Sequence, residues 1–290
     1  MGTGGTETSA FGVSKRENHD SSKFYDQAVY DGQRPEEEVD YEENEIDPDT
    51  LNSIKCLDSR SMPLPDNSAH LMVTSPPYVA AKEYDRDWTL EEYVTLLHDV
   101  FEETYRVLVP GGRACINIAN IGRSPYIPLH SYIVQSMLEI GYLMRGEIIW
   151  DKGASVGGST AWGSWQSASN PTLRDVHEYI LVFSKQTFSR PQGDRDNSIE
   201  KEDFLANTKS IWEFRTASAK EIGHPAPFPV ELPTRLIELL TFKDDVVLDP
   251  FAGSGQTAIA AANEDRHYVG FDNDESYVEL ARERIEANTT

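Results

Sequence analysis

From residue 51 onward the apolar positions alternate between short continuous runs and longer stripes at helical spacing. Leu51 to Leu57 is a strand candidate ending at Asp58. His70-Leu71-Met72-Val73-Thr74 is a buried-strand run stopped by Pro76-Pro77. Thr89 with Glu92 makes a capping box that opens a helix from Leu90 to about Leu108, with Tyr93, Leu96, Leu97, Val100, Phe101, Tyr105 and Leu108 on one stripe. Pro110-Gly111-Gly112 turns the chain into a strand from Arg113 to Ala119. Leu129 to Ile140 is a second helix, stopped by Gly141, and Tyr142 to Trp150 is a strand. Residues 153–172, rich in Gly, Ser, Trp and Asn, read as a long loop, and Glu178 to Ser184 as another strand. Residues 185–222 are polar and read as irregular. The remainder is a helix from Phe228 to Leu240, a strand Val246 to Asp249, a helix from about Gln256 to Asn263, a strand Tyr268 to Asp272 and a helix from Ser276 to Ala287. Strands alternating with helices predict an α/β fold, a mostly parallel sheet with helices on both faces.

Residues 1–50 lack such a pattern. They begin Gly/Thr/Ser-rich and pass into an acid block, Glu36-Glu37-Glu38-Val39-Asp40-Tyr41-Glu42-Glu43, which predicts a largely disordered acidic arm; Tyr25, Tyr30 and Tyr41 could dock it on the body. Residues 51–290 are then one domain.

Charge changes the picture. The chain of 290 residues carries 49 acids against 26 bases, a net charge of −23. Such a balance ordinarily argues against a nucleic-acid partner. The excess is uneven, however: residues 1–50 carry −10, 51–144 carry −4, 145–220 are neutral and 221–290 carry −9. Sixteen arginines against ten lysines, in so acidic a chain, suggest adaptation to concentrated salt. No run of about 18 apolar residues exists to span a membrane, and Met1 to Ala10 has no signal core. The cysteines, Cys56 and Cys115, form neither a disulfide framework nor a metal site, and scattered histidines predict no metal; the expectation is a cytoplasmic protein.

Two motifs carry chemistry. Asp249-Pro250-Phe251-Ala252-Gly253-Ser254-Gly255 follows a strand and opens a helix, where glycines let the backbone approach a ligand closely. The next strand ends in Asp272, at a place where an acid commonly takes ribose hydroxyls. Together they describe a nucleoside-containing cofactor. A dinucleotide fingerprint fits weakly, because its third glycine is Ala258 and the leading Asp-Pro-Phe is atypical of it. The second motif, Thr74-Ser75-Pro76-Pro77-Tyr78, ends a strand. Its prolines stiffen carbonyls that can accept from an exocyclic amine, and Tyr78 can stack on a flat base.

Taken as a pair, these motifs resemble the catalytic and cofactor motifs of the amino-group DNA methyltransferases, which methylate cytosine N4 or adenine N6. The order, catalytic motif first, resembles the permuted beta group. Leu108-Val109-Pro110-Gly111-Gly112-Arg113, Glu147 to Lys152, Arg174 to Lys185 and His224-Pro225-Ala226-Pro227-Phe228-Pro229 extend the similarity over roughly residues 51–290. The resemblance implies a Rossmann-like class I methyltransferase fold in circularly permuted order, S-adenosyl-L-methionine as cofactor and double-stranded DNA as partner. It is compatible with a homodimer and with a cognate restriction endonuclease. It assigns the methionine end of the cofactor to Asp249 through Gly255, the ribose to Asp272, the adenine amine to Asp58 and the closing segment to His224 and Phe228. Ser75, Pro76, Pro77 and Tyr78 would hold a base flipped out of the helix. Ser75 favours cytosine N4, because adenine members more often carry Asp or Asn there; adenine N6 is the alternative. A non-catalytic DNA- or cofactor-binding protein of the same fold is the alternative of another class. Methylation at cytosine C5 needs a nucleophilic cysteine, usually after proline, and neither cysteine follows one. Lys152, Trp162, Trp165, Arg174, Arg190, Arg195 and Arg215 are the candidate DNA contacts, within a recognition region of about 153–222.

Overall fold

The structure is a computed structural model; it describes residues 8–10, 13–16, 27–36, 38–77, 88–153, 163–218, 222 and 227–289. The chain divides at Pro35 into two units. In the first, strands β1 (Thr8–Ala10) and β2 (Val13–Arg16) pair antiparallel. Everything below concerns the second, residues 36–290.

Its strands are β3 (Ser53–Cys56), β4 (Ala69–Thr74), β5 (Leu108–Ile118), β6 (Ile121–Gly122), β7 (Tyr126–Ile127), β8 (Tyr142–Asp151), β9 (His177–Lys185), β10 (Ile211–Glu213), β11 (Val246–Asp249) and β12 (His267–Asp272). Its helices are α1 (Leu90–Val107), α2 (Leu129–Ile140), α3 (Lys201–Asn207), α4 (Glu231–Leu240), α5 (Gln256–Asn263) and α6 (Glu275–Asn288). Eight strands form one sheet in the order β10-β8-β9-β5-β4-β11-β12-β3. Only β9 runs against the others.

Alternation along the central strands divides the core. Met72, Ile116, Phe183 and Leu248 face one way and join Leu97, Phe101, Ile133 and Met137 of α1 and α2. Leu71, Val73, Cys115, Ile180 and Val247 face the other and join Leu232, Leu236, Ile237 and Ala260 of α4 and α5. A parallel strand covered on both faces must be apolar throughout, and β4 is buried at all six positions. The helix starts and stops follow the sequence. Thr89 and Glu92 close the capping box at the head of α1. Gly141 ends α2 at φ 109°, a backbone region that costs glycine little.

Two expectations need correction. The stretch read as irregular holds α3 and β10, and Trp212 of β10 is almost fully buried beside Trp150. Three residues carry no readable period; β10 forms because β8 offers it a parallel edge. The second correction concerns residues 36 and 38–50, which belong to the same unit as the sheet and pack onto it. Ile46 is in the core, and Asn44 pairs with the backbone of Asn67 and Asp66. The Glu43 carboxylate meets His70 at 3.0 Å, takes an ion pair from Arg195 and accepts from the Tyr41 hydroxyl. Of the acid block, Glu43 makes the anchor, between buried His70 and partly buried Arg195.

Candidate functional site

In the sheet, β4 and β11 are neighbours although 175 residues separate Thr74 from Asp249. From β4 the chain crosses through α1 to β5 on one side; from β11 it crosses through α5 to β12 on the other. The pair is therefore the point where the winding reverses, and such a point opens a crevice at the carboxyl ends of the strands. Both motifs found in the sequence lie there.

The Thr74 hydroxyl donates to Asp249 Oδ1 at 2.6 Å, joining the last residue of β4 to the last of β11. The Phe251 N–H donates to the same oxygen at 3.1 Å. Burial pushes the Asp249 carboxyl up to about 6, against the pull of these donors. Gly253 and Gly255 turn the chain at φ 49° and 76°. A Cβ on Gly255 would lie 3.2 Å from the Ala281 Cβ, tighter than ordinary contact, at a positive φ that side chains rarely adopt. Gly255 gives the first turn of α5 no side-chain cap, which leaves the helix's positive end open to the crevice.

Asp272 ends β12 beside this turn. Its Oδ2 accepts the Gly253 N–H at 2.9 Å and its Oδ1 the Asp274 N–H at 3.0 Å. A carboxylate has about four acceptor positions, so these donors do not exhaust it. Burial raises the Asp272 pKa. Pro250 is tied down by the buried Ser59 hydroxyl, which donates to its carbonyl at 2.7 Å and so fixes the segment after β3 against the glycine turn. Asp58 is in that segment, but Arg60 engages both its oxygens and lowers its pKa; a ligand amine would share or displace that guanidinium. Phe228 packs its ring in the core, and only its carbonyl reaches the turn, accepting from Gln256 Nε2 at 2.7 Å. His224 lies outside the described residues.

On the β4 side, Ser75 is half-buried, Pro76 buried and Pro77 exposed. No described residue hydrogen-bonds the Ser75 hydroxyl or the Pro76 carbonyl. Tyr78 lies outside the described residues. The next strand end carries a polar group that sequence reasoning passed over. Asn117 of β5 is buried, and its Nδ2 donates to Glu178 of β9 at 2.7 Å. Its Oδ1 is buried and, among the described residues, has no hydrogen-bond partner. The only sequence signal was a polar residue inside an apolar strand.

The candidate DNA contacts do not form one surface. Lys152 is ion-paired to Glu178 at 2.9 Å, both largely covered. Arg190 forks onto Asp245 with 6% of its side chain exposed, and Arg195 pairs with Glu43 and lies 3.6 Å from Asp245. These three side chains are paired with acids of the chain itself, so a DNA contact by any of them would have to share or replace that partner. Trp165 is exposed, Arg215 is exposed, Arg174 is half-buried and Trp162 lies outside the described residues.

Residues 69–283 match the family model described as DNA methylase, N6/N4 type. The chain belongs to the N6/N4 DNA methylase family. It is 31% identical over 283 residues to the Type II methyltransferase M.MjaI of Methanocaldococcus jannaschii, covering 83% of this chain and 93% of that one. TTHA0409 of Thermus thermophilus, described as a DNA modification methylase and solved with S-adenosyl-L-methionine, superposes with a TM-score of 0.67 at 31% identity, over 82% of this chain and 94% of that one. The PvuII DNA methyltransferase, which is cytosine-N4-specific, shares the fold at a TM-score of 0.64 and 22% identity, over 81% and 90% of the two chains. The family match spans both motifs and the permuted order in which they occur.

Proposed function

We propose that this member of the DNA methylase family transfers methyl from S-adenosyl-L-methionine to the exocyclic N4 amine of a cytosine flipped out of duplex DNA. The observation that carries the reading is the Thr74–Asp249 hydrogen bond, which brings the ends of the Ser75-Pro76 and Gly253-Gly255 motifs together. The glycine turn suits the cofactor: two positive-φ glycines at the strand end, an uncapped helix end for the methionine carboxylate, and the Asp272 carboxylate for ribose hydroxyls. When bound, the cofactor supplies an electrophilic methyl group on a sulfonium.

The protein's own part is positioning. An amine inside the stack cannot be reached, so the base must be extruded. The Ser75 hydroxyl and Pro76 carbonyl bind the amine hydrogens and draw its lone pair out of conjugation with the ring. Tyr78 stacks on the base. Rate enhancement then comes from orientation and preplaced dipoles, without a covalent enzyme intermediate.

Labelled methyl transfer to duplex DNA, followed by digestion to nucleosides and mass spectrometry, tests this. N4-methylcytosine is the expected product. N6-methyladenine alone would assign the other amine, and undiminished activity in Tyr78→Ala would remove Tyr78 from catalysis.

Asp249 gives a pH prediction. Its folded pKa is raised from 3.8 to about 6, so its burial favours folding of the protonated form; that stability is complete below the ordinary value and is lost as pH rises through about 6. Binding runs the other way, because the ionised carboxylate is the stronger acceptor for Thr74 and Phe251 and attracts a cationic sulfonium. Cofactor Kd, read by calorimetry, should rise as pH falls through about 6, and Asp249→Asn should abolish that step.

A further inference from the structure

The chain averages one acid in about six residues, yet Thr104 to Leu138 contains none in 35, and Lys152 to Arg174 none in 23. These are its two longest acid-free stretches. The fold gives them a common address. The first contains the connection from β5 to α2, the second most of the connection from β8 to β9. Strands β4, β5 and β8 run the same way, so both connections leave the sheet at the edge where Ser75 lies. At the other end of that edge, Asp58, Asp272, Asp274 and Glu275 cluster around β3 and β12. The two connections beside the catalytic motif are thus poor in acid, although Asp151, Asp175 and Glu178 lie where β8 ends and β9 begins; Glu178 is paired there with Lys152.

The connection from β5 to α2 is a built element. Strands β6 and β7 pair as a hairpin. Asn120 Nδ2 donates to the Tyr126 hydroxyl at 2.7 Å, and Asn120 Oδ1 meets His130 Nδ1 at 2.9 Å. His130 stacks on Tyr179 of β9, centroids 4.2 Å apart and planes 7° from parallel. At the tip is Arg123, exposed and, among the described residues, without an ion pair. Arg145 and Arg215 are likewise exposed and, among the described residues, without an ion pair, but of these three only Arg123 lies in an acid-free stretch of 35 residues.

We propose that the hairpin Ile121–Ile127 contacts the substrate duplex, with Arg123 on a backbone phosphate. The proposal rests on the DNA-methylating function above. A phosphate contact positions the duplex without reading sequence, so its loss should weaken all duplexes alike and flatten the salt dependence by about one unit of log–log slope.

The test compares the full-length chain with Arg123→Ala, Arg123→Glu and Arg123→Lys, using fluorescence anisotropy on a methylatable and a scrambled duplex over a salt series. Cofactor affinity, measured in parallel, controls for folding. Arg123→Ala should weaken both duplexes several-fold, Arg123→Glu should weaken them further, and Arg123→Lys should retain most of the affinity, all with unchanged cofactor Kd. Wild-type affinity and slope in Arg123→Ala and Arg123→Glu would overturn the proposal while leaving the methyltransferase reading intact. A loss confined to one sequence would overturn the phosphate assignment. Failure of the wild-type chain to methylate any DNA would overturn the reading beneath it.

Discussion

Asp245→Ala should destabilise the protein by about 3–5 kcal/mol, the usual loss when one partner of a buried ion pair is removed. Asp245 has no exposed side-chain surface and accepts both arms of the Arg190 guanidinium, itself 6% exposed. It also accepts the Phe242 N–H at 2.7 Å. Truncation strands a guanidinium in a low-dielectric site and leaves an amide unpaired. At about 2–4 °C per kcal/mol for a protein of this size, the melting temperature should fall by roughly 10 °C. The same cluster anchors residues 36–50, because Arg195 and His70 join it to Glu43. The hydrogen bond from His70 is the largest influence holding the Glu43 carboxyl well below its usual range. A depressed carboxylate stabilises the fold above its unfolded pKa, and that contribution fades as pH falls. Asp245→Ala should therefore also expose residues 36–50 to proteolysis, while cofactor affinity measured well below the melting temperature stays unchanged. An unchanged melting temperature would show that Arg190 finds another partner.

Asp272→Ala should do the opposite, sparing stability more than function. With the carboxylate gone, the ribose hydroxyls lose two charge-assisted partners, and the Gly253 N–H loses the acceptor that holds the glycine turn. Hydrogen bonds to a charged group contribute about 1.5–3 kcal/mol each and do not add fully, so cofactor Kd should rise by roughly 30- to several-hundred-fold. Asp272→Asn, which keeps one acceptor oxygen, should fall between. Equilibrium binding of the cofactor checks both variants. Affinity within threefold of wild type in Asp272→Ala would remove Asp272 from the ribose.

How far the sequence carried these assignments depended on the signal each residue leaves. Leu90–Val107 and Leu129–Ile140 were readable to within a residue, because their apolar stripes end in a capping box and a glycine, both local devices. The two motifs were readable because strand ends expose unusual residues, Pro-Pro and Gly-x-Gly, where an apolar run stops. Strand β10 was not, since its three residues depend on a neighbour's edge for their geometry. Charge is legible in total, but its partners are not. Arg190 and Arg195 look the same in sequence whether they face DNA or a buried aspartate; the partner, 55 residues away for Arg190, decides. Asn117 was hidden for a similar reason: one polar residue in an apolar strand means little until its neighbour across the sheet is known to be Glu178.

The position of β11 beside β4 also has a consequence for synthesis. The ribosome delivers the catalytic strand early and its cofactor-side neighbour 175 residues later. At about 5–20 residues per second, the nascent chain spends roughly 10–35 s with β4 paired only to β5, its other apolar edge open. During that interval Ser75 and Pro76 are already made, while Gly253, Gly255 and Asp272 are not. Closure of this part of the sheet thus waits for β11, which fills the gap so that β12 and β3 can pair beside it.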